Sequence, residues 1–530
     1  MATLIHELIF DTAQRAPHAP ALSWQGDEMH YAALAQSVRE AASTLLTLGL
    51  QRGARVAVYL EKRSENVSAM FGAAAAGGVF VPVNPLLKPD QVAYILADCN
   101  VAILVTSRER LAQLGPALAA CPDLQTVLLT GEGETQSHLG KVRLLPWSGI
   151  PAAPAPVWHA VIDTDMAAIL YTSGSTGRPK GVVLSHRNML AGALSVSSYL
   201  RNTPQDRILC VLPLSFDYGL SQLTTAFASG ACAVLMNYLL LRDIVEAVEQ
   251  EAITGLAAVP PLWVQLSQLS WPLSTPLRYI TNSGGVMQRS TLDKLRLALP
   301  RTQVFLMYGL TEAFRSTYLA PEQLERRPDS IGLAIPNAEV LVLRPDGSVC
   351  EADEPGELVH RGALVALGYW NDAPRTAERF KPLPPQVTGL VLPELAVWSG
   401  DTVRRDAEGY LYFVGRSDDM IKTSGYRVSP AEIEEVVYAS GLVGEAVALA
   451  VPHAVLGHAI ALLVTPPPGV EVRRDSVLAA CRARLPSYMV PLWVDIRDDA
   501  LPRNPNGKID RPLLARELAR AYAVQSGGAA

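Results

Sequence analysis

No Cys-x-x-Cys pair occurs in this 530-residue chain, whose six cysteines, Cys99, Cys121, Cys210, Cys232, Cys350 and Cys481, stand scattered with no histidine cluster beside them. That spacing gives neither a zinc site nor a disulfide framework. Positive charge is not in excess either: 45 Lys and Arg face 51 Asp and Glu, for a net charge of -6. The basic footprint of a nucleic-acid or membrane-surface binder is therefore missing, and small-molecule partners fit better. Long apolar runs are lacking as well. The most apolar stretch, Leu442 to Val464, is broken by Glu445, Pro452, His453 and His458, which suits the strands of a domain core and not a membrane span. The first residues, MATLIHELIFDTAQRAP, contain acidic and polar breaks where a secretory signal would be apolar, so a cytoplasmic protein is expected. No fixed-period repeat is evident.

What the chain does have is length and apolar content. With 530 residues, 49% apolar and 18% charged, it exceeds one ordinary core, and at least two packed domains are expected. Residues 4–50 read as helices around a short strand pair, with YAALAQSVREAASTLLTLGL at helical spacing. From Arg55 onward, short apolar runs (VAVYL, FVPVN, AILVTS, TVLLT) alternate with helical segments such as SENVSAMFGAAAAG, the pattern of βαβ units and a parallel sheet. A second such run covers Ile208 to Arg315, beyond a Pro-rich loop at Ile150 to Trp158. After Gly400 the texture changes, and a charge-dense segment, RSDDMIKTSGYR, follows the strand-like EGYLYFVGR. SPAEIEEVVYAS then opens a helix with Ser429 as N-cap, Pro430 in the first turn and Glu432 as capping partner. AVALAVP, AIALLVTP and PLWVDIRD read as strands, and SVLAACRARL and PLLARELARAYA as helices, completing a small α+β domain.

The most informative stretch is YTSGSTGRPKG, Tyr171 to Gly181, between the apolar strands AAILY and VVLSH. Bendable glycines, hydroxyl side chains and two cations supply what a polyphosphate requires. A Walker loop is excluded, because Lys180 is followed by Gly181 and Val182 where Ser or Thr and a helix would be needed. Composition alone would also fit an ordinary flexible turn. Six further segments decide against that: FDYG at 216–219, YGLTE at 308–312, GELVHRG at 356–362, GD at 400–401, GRSDDMIKTSGYRVSPAEIE at 415–434 and PRNPNGKIDR at 502–511. In this order, with the loop, they resemble the adenylate-forming superfamily of acyl-coenzyme A synthetases, nonribosomal peptide adenylation domains and luciferases. The likeness covers nearly the whole chain.

The resemblance implies an α/β fold: a large N-terminal AMP-binding domain over 1–415, built of parallel-sheet βαβ subdomains plus a β-barrel-like part, a hinge at 416–418 and a small mobile α+β domain over 419–530. It further implies that ATP and Mg²⁺ are used. Thr172, Ser173, Gly174, Ser175, Thr176, Gly177 and Lys180 would grip the β and γ phosphates, Thr311 would contact the α-phosphate and Glu312 would hold the metal, a hard cation suited to a carboxylate. Tyr308 would stack on adenine beside Ser283, Gly284, Gly285 and Gly309, while Asp401 and Arg416 would bind ribose. Lys508 would bridge the carboxylate under attack and the ribose side, Asp418 would be the hinge, and Gly425 would line the tunnel of a pantetheine arm. Read singly, Tyr308 is an ordinary core aromatic, Asp401 a surface carboxylate and Lys508 a solvated turn lysine.

The acid pocket departs from the common fatty-acyl and aryl pattern, in which a histidine often follows Pro-Leu-x; here PLSFDYGLSQ carries Phe216 and Asp217. In amino-acid-activating relatives an aspartate of this pair binds the α-ammonium. A buried carboxylate is costly without a cation, so either an amino acid or a protein group such as Arg315 is its expected partner. Tyr218, Ser221, Ala258, Thr281, Ser283, Met307, Arg315 and Ser316 complete the expected lining. A small or medium acid is expected, with proline a candidate because FDYG and YGLTE are also similar to free-standing prolyl–carrier-protein ligases. Whole-chain likeness extends to acyl-coenzyme A ligases of bacterial exosortase and exopolysaccharide loci. The chain ends in a helix and QSGGAA without a serine-bearing carrier module, so the acceptor is expected to be coenzyme A or a separate phosphopantetheinyl carrier protein. Luciferase-like oxidation would share every motif, whereas a non-catalytic acyl-binding protein would be expected to lack some of Lys180, Glu312, Asp401 or Lys508, all of which are present.

Overall fold

A computed structural model of the protein describes residues 2–133, 137–148, 158–172, 179–272, 274–384, 389, 391–416, 421–423, 426–453, 457–485, 487–505 and 507–526. Among them are three sheets, of 14, 9 and 5 strands. In the nine-stranded sheet, Arg55–Tyr59 lies between Val79–Pro82 and Val101–Ser107, all parallel, as the short apolar runs predict. Its far side carries the antiparallel pair Met166–Thr172 and Lys180–Ser185, joined to the parallel strands where Phe80 faces Ala168. The fourteen-stranded sheet contains a second parallel run, Cys232–Leu235, Arg207–Cys210, Gly255–Ala258, Tyr279–Asn282 and Gln303–Tyr308. The part expected to be barrel-like is an antiparallel run from Thr317–Leu319 through Ser330–Ala334 and Leu411–Arg416 to Leu395–Arg405. It continues the parallel run through the pairing of Gln303–Tyr308 with Thr317–Leu319.

The two large sheets share one core. The helix Ser64–Ala75 is buried on every side beyond its first two residues, which is what an alanine-rich helix without a polar face requires. Phe71 on it stacks on Phe80 of the nine-stranded sheet, with ring centroids 6.4 Å apart, and meets Phe227 of the helix Asp217–Ser229 edge-on at 5.3 Å. A Cβ at Gly72 would lie 2.5 Å from Ala41 Cβ, so this glycine sets the approach of the helix Tyr31–Thr47.

The smaller C-terminal domain has its own apolar core around Ile433, Val437, Leu462 and Val494. Its hairpin Glu445–His453 and Gly457–Thr465 and its helices Arg474–Arg484 and Arg511–Ser526 fall where the apolar periods predict. The helix Pro430–Ala439 also starts as expected, but Ser429 does not cap it: its hydroxyl is buried without a partner. Proline at the first helical position needs no acceptor for a missing N–H, which removes one demand on the cap. All six cysteines are buried and free. Among the described residues no helix is long and apolar enough to cross a membrane.

Candidate active site

The carboxyl ends of Gly255–Ala258, Tyr279–Asn282 and Gln303–Tyr308 open towards the strand pair Met166–Thr172 and Lys180–Ser185, and the expected residues gather in this crevice, where open α/β sheets place their ligands. Register sets Thr172 opposite Lys180 at the mouth of the glycine loop. Of that loop, Ser173, Gly174, Ser175, Thr176 and Gly177 lie outside the described residues. Thr172 Oγ1 is buried without a partner, a hydroxyl in place to donate to an anion.

Lys180 Nζ donates to Glu312 Oε1 at 2.8 Å and to Tyr369 Oη at 2.7 Å, and Tyr369 Oη donates to the same Glu312 oxygen at 2.6 Å. Burial alone would raise the Glu312 pKa; the Lys180 ammonium and the Tyr369 hydroxyl outweigh it, and the carboxyl is held below its ordinary range. Tyr369 is a site residue that sequence reading missed. Its place comes from the pairing of Gly368–Tyr369 with Lys180–Ser185, where Val182 faces Tyr369, a contact across almost 200 positions that no local pattern announces. Thr311, beside Glu312, is buried in the turn Thr311–Ala313.

On the opposite wall Tyr308 Oη donates to Asp401 Oδ2 at 2.5 Å, joining the expected adenine and ribose residues directly. Asp401 pairs in register with Arg416 at the end of Leu411–Arg416, whose side chain lies outside the described residues, as do Asp418 and Gly425. The adjoining Gly400 has φ +71°, a conformation that favours glycine before Asp401. Gly284 also has positive φ, +82°, and a Cβ there would be 3.2 Å from Lys508 Cε. Lys508 thus enters the crevice from the C-terminal domain, with its Nζ 5.9 Å from the Phe216 ring centre. The loop presenting it is held by Asn504, whose Oδ1 accepts from Lys508 N at 3.1 Å, and is tied to the large domain by Asn84 Nδ2 donating to the Pro505 carbonyl at 2.9 Å.

Phe216 precedes the helix Asp217–Ser229, and the first residue of that helix, Asp217, is buried. One Asp217 oxygen, Oδ1, accepts from Tyr218 N at 2.8 Å, and no basic group lies within 4.0 Å of the carboxylate among the described residues. Burial raises its pKa, opposed by the more distant charges of Arg315 and Lys508. The helix that Asp217 opens, with the strands Gly255–Ala258 and Tyr279–Asn282, lines a small cavity whose wall includes Tyr218, Ser221, Thr225, Thr281, Met307 and Arg315 but not Asp217 itself. Tyr218 Oη and Thr281 Oγ1, both on this wall, share a 2.5 Å hydrogen bond. Of the remaining expected lining, Ala258 is buried at the end of its strand, Ser283 Oγ accepts from Arg315 Nη1 at 2.9 Å, and Ser316 is engaged by His360 Nδ1 at 2.9 Å; none of these three is on the cavity wall. Gly309 gives Arg315 its passage, since a Cβ there would be 3.1 Å from Arg315 Cα, and Gly285 lies against Pro260. Between Glu312 and Arg315, Phe314 has φ +57°, and Arg315 N donates to the Ala313 carbonyl at 2.5 Å, a γ-turn of the strained, positive-φ kind.

Residues 9–370 match the family described as AMP-binding enzyme, and 432–508 match AMP-binding enzyme C-terminal domain. The chain is 31% identical to an L-proline--[L-prolyl-carrier protein] ligase of Pseudomonas fluorescens, over 97% of its own length and 99% of that protein. It is 30% identical to a long-chain-fatty-acid--CoA ligase of Yersinia pestis, over 97% and 93%. It spans only 6% of a linear gramicidin synthase polypeptide of Brevibacillus parabrevis, which is 29% identical over 94% of this chain. ATP-bound MatB from Rhodopseudomonas palustris superposes with a TM-score of 0.84 at 26% identity, covering 98% of this chain and all of that one.

Proposed function

The chain belongs to the AMP-binding enzyme family of adenylate-forming ligases, and on that premise we propose that it activates a small, amino-bearing carboxylic acid and passes the acyl group to a phosphopantetheine thiol, of coenzyme A or of a separate carrier protein. The observation that carries the choice of acid is Asp217, a buried carboxylate with no cation within 4.0 Å among the described residues, next in the chain to Tyr218 of the cavity wall. An α-ammonium supplies the charge it lacks. The prolyl-carrier-protein ligase relative supports an amino acid.

In the first half-reaction an oxygen of the substrate carboxylate attacks the α-phosphorus of ATP, a new P–O bond forms, and the bond to the bridging oxygen breaks to release pyrophosphate. The barrier is mainly one of charge, so positioned cations and donors are the main levers. Lys508, between Gly284 and Phe216, neutralises the oxygens of the attacking carboxylate. Lys180, with Thr172 and the loop 173–178, holds the departing phosphates. Glu312 is the carboxylate that would hold Mg²⁺, which supplies charge neutralisation to ATP. Such an ion needs one or two carboxylates plus phosphate oxygens, which fits a site where the described residues hold no cluster of acidic ligands. Asp401 accepts from ribose and the Tyr308 ring flanks the base. In the second half-reaction the thiol sulfur attacks the acyl carbon and AMP leaves. Lys508 must withdraw first, by a swing of 419–530 about 416–418 that brings Gly425 to the thiol path.

ATP–pyrophosphate exchange over a panel of acids, with and without coenzyme A, tests the reading. For the best amino acid, Asp217→Asn should raise KM by about 100-fold while the ATP KM stays within about twofold. Because burial raises the Asp217 pKa, its protonation begins at a higher pH than that of an ordinary carboxylate, so the wild-type KM should climb as pH falls and the variant should lack that climb. An Asp217→Asn enzyme with unchanged amino-acid kinetics would remove the amino group from the proposal.

A further inference from the structure

Arg315 is one of the largest fully enclosed side chains in the protein, and it is incompletely satisfied. Its Nη1 donates to Ser283 Oγ, but Nε and Nη2 are buried with no partner. Those two donors form one edge of the guanidinium, with parallel N–H bonds at the spacing of the two oxygens of a carboxylate. The same edge holds a carboxylate elsewhere in this chain, as in Arg63 on Glu65, Arg187 on Asp163, Arg278 on Asp206 and Arg361 on Glu394, where the distances run from 2.7 to 3.2 Å. At Arg315 the nearby acid is Asp217, yet the two make no ion pair within 4.0 Å. The Tyr218 ring, 4.7 Å from the guanidinium carbon, engages its face and leaves the edge open.

The backbone is built to hold the side chain there. The γ-turn at Phe314 turns Arg315 back under Gly309, and the Phe314 ring is seated on Gly192, where a Cβ would come within 2.4 Å of it. A strained turn that keeps an unsatisfied guanidinium on a cavity wall points to a ligand that completes it. On the same wall Thr225 Oγ1 is likewise buried without a partner.

We propose that the acid activated by this enzyme carries a second carboxylate, held by the Nε–Nη2 edge of Arg315. The inference rests on reading this cavity as the acid site, and it narrows the substrate to an amino acid with an acidic side chain. Each substrate charge then meets a protein charge: the ammonium meets Asp217, the reacting carboxylate Lys508 and the second carboxylate Arg315. An aliphatic side chain would instead seal the open edge from water, so the site selects against it.

The test is ATP–pyrophosphate exchange by the full-length enzyme with aspartate, glutamate, asparagine, glutamine, alanine, proline, succinate and glutarate. The expected result is that an acid with a second carboxylate has the highest kcat/KM, about 100-fold above its carboxamide counterpart. Arg315→Leu should abolish that preference by raising KM for the acidic substrate far more than for its carboxamide counterpart. Arg315→Lys, which keeps the charge without the fork, should recover part of it. Should Arg315→Leu fail to fold by thermal melting, the wild-type ranking and Arg315→Lys decide. Proline, alanine or a carboxamide ranking first would overturn this inference while leaving acid activation intact. Succinate or glutarate ranking first would uphold the second carboxylate and remove the amino group. Exchange with no acid would defeat the proposed function itself, and this inference with it.

Discussion

Glu312 and Asp217 are both buried carboxylates in one crevice, and their surroundings push them in opposite directions. Burial acts the same way on each, but Glu312 has Lys180 and Tyr369 in contact and is held ionised, whereas Asp217 has only distant cations and is pushed towards the neutral form. The stability consequence of Asp217 has a definite sign. Its folded-state pKa is raised, so its favourable contribution is complete below the unfolded value of about 4 and is lost as pH rises through the folded value; at neutral pH the buried charge is a net cost. Asp217→Asn is therefore expected to stabilise the unliganded protein at pH 7 by about 1–3 kcal/mol, with the gain shrinking towards pH 4, as read by thermal melting at the two pH values. Equal gains at both would contradict a charge origin. At this scale the sequence was informative where chemistry is local to a motif: Asp217, Glu312 and Lys508 each stand out from their neighbours. It was silent on Tyr369 and on the open edge of Arg315, because both depend on partners brought from distant strands.

The strained element is the turn 312–316. YGLTE marks its beginning in the sequence, but nothing in AFRS announces a positive φ at Phe314, since such a conformation in an aromatic residue is imposed by packing and not by propensity. The packing in question is Gly192 in the helix His186–Leu200. Alanine at 192 would favour the helix by about 1 kcal/mol on propensity alone. A Cβ 2.4 Å from the Phe314 ring reverses that, and Gly192→Ala is expected to destabilise by about 1–3 kcal/mol and to lower kcat/KM for the acid, with the ATP KM little changed. Calorimetry and exchange kinetics on the same preparation check both parts; a variant more stable than wild type would remove the ring contact as the cause of the turn. Elements with a strong period were legible throughout, such as Tyr31–Thr47 and the hairpin Glu445–His453 and Gly457–Thr465. Ser429 was misleading, because the cap pattern is satisfied in sequence while the hydroxyl is buried without a donor to serve.

At the scale of the whole molecule, motif order carried the fold, because residues more than 200 positions apart, such as Gly284 and Lys508, meet only in one architecture. Sheet continuity was less visible, since the join of parallel and antiparallel runs at Thr317–Leu319 has no signature of its own. The proposed swing of the small domain predicts a separation of half-reactions. Lys508→Ala should abolish ATP–pyrophosphate exchange and leave thioester formation from supplied acyl-adenylate within about threefold of wild type; equal loss of both would contradict alternation. The contact of Asn84 with the Pro505 carbonyl gives this cycle a scale. One neutral hydrogen bond contributes about 1 kcal/mol net, which biases a two-position equilibrium only about fivefold. A catch that weak does not by itself set the resting position of the small domain, and the proposed cycle therefore predicts that occupancy of the crevice by ATP or AMP sets it, which would make the nucleotide the enzyme's clock.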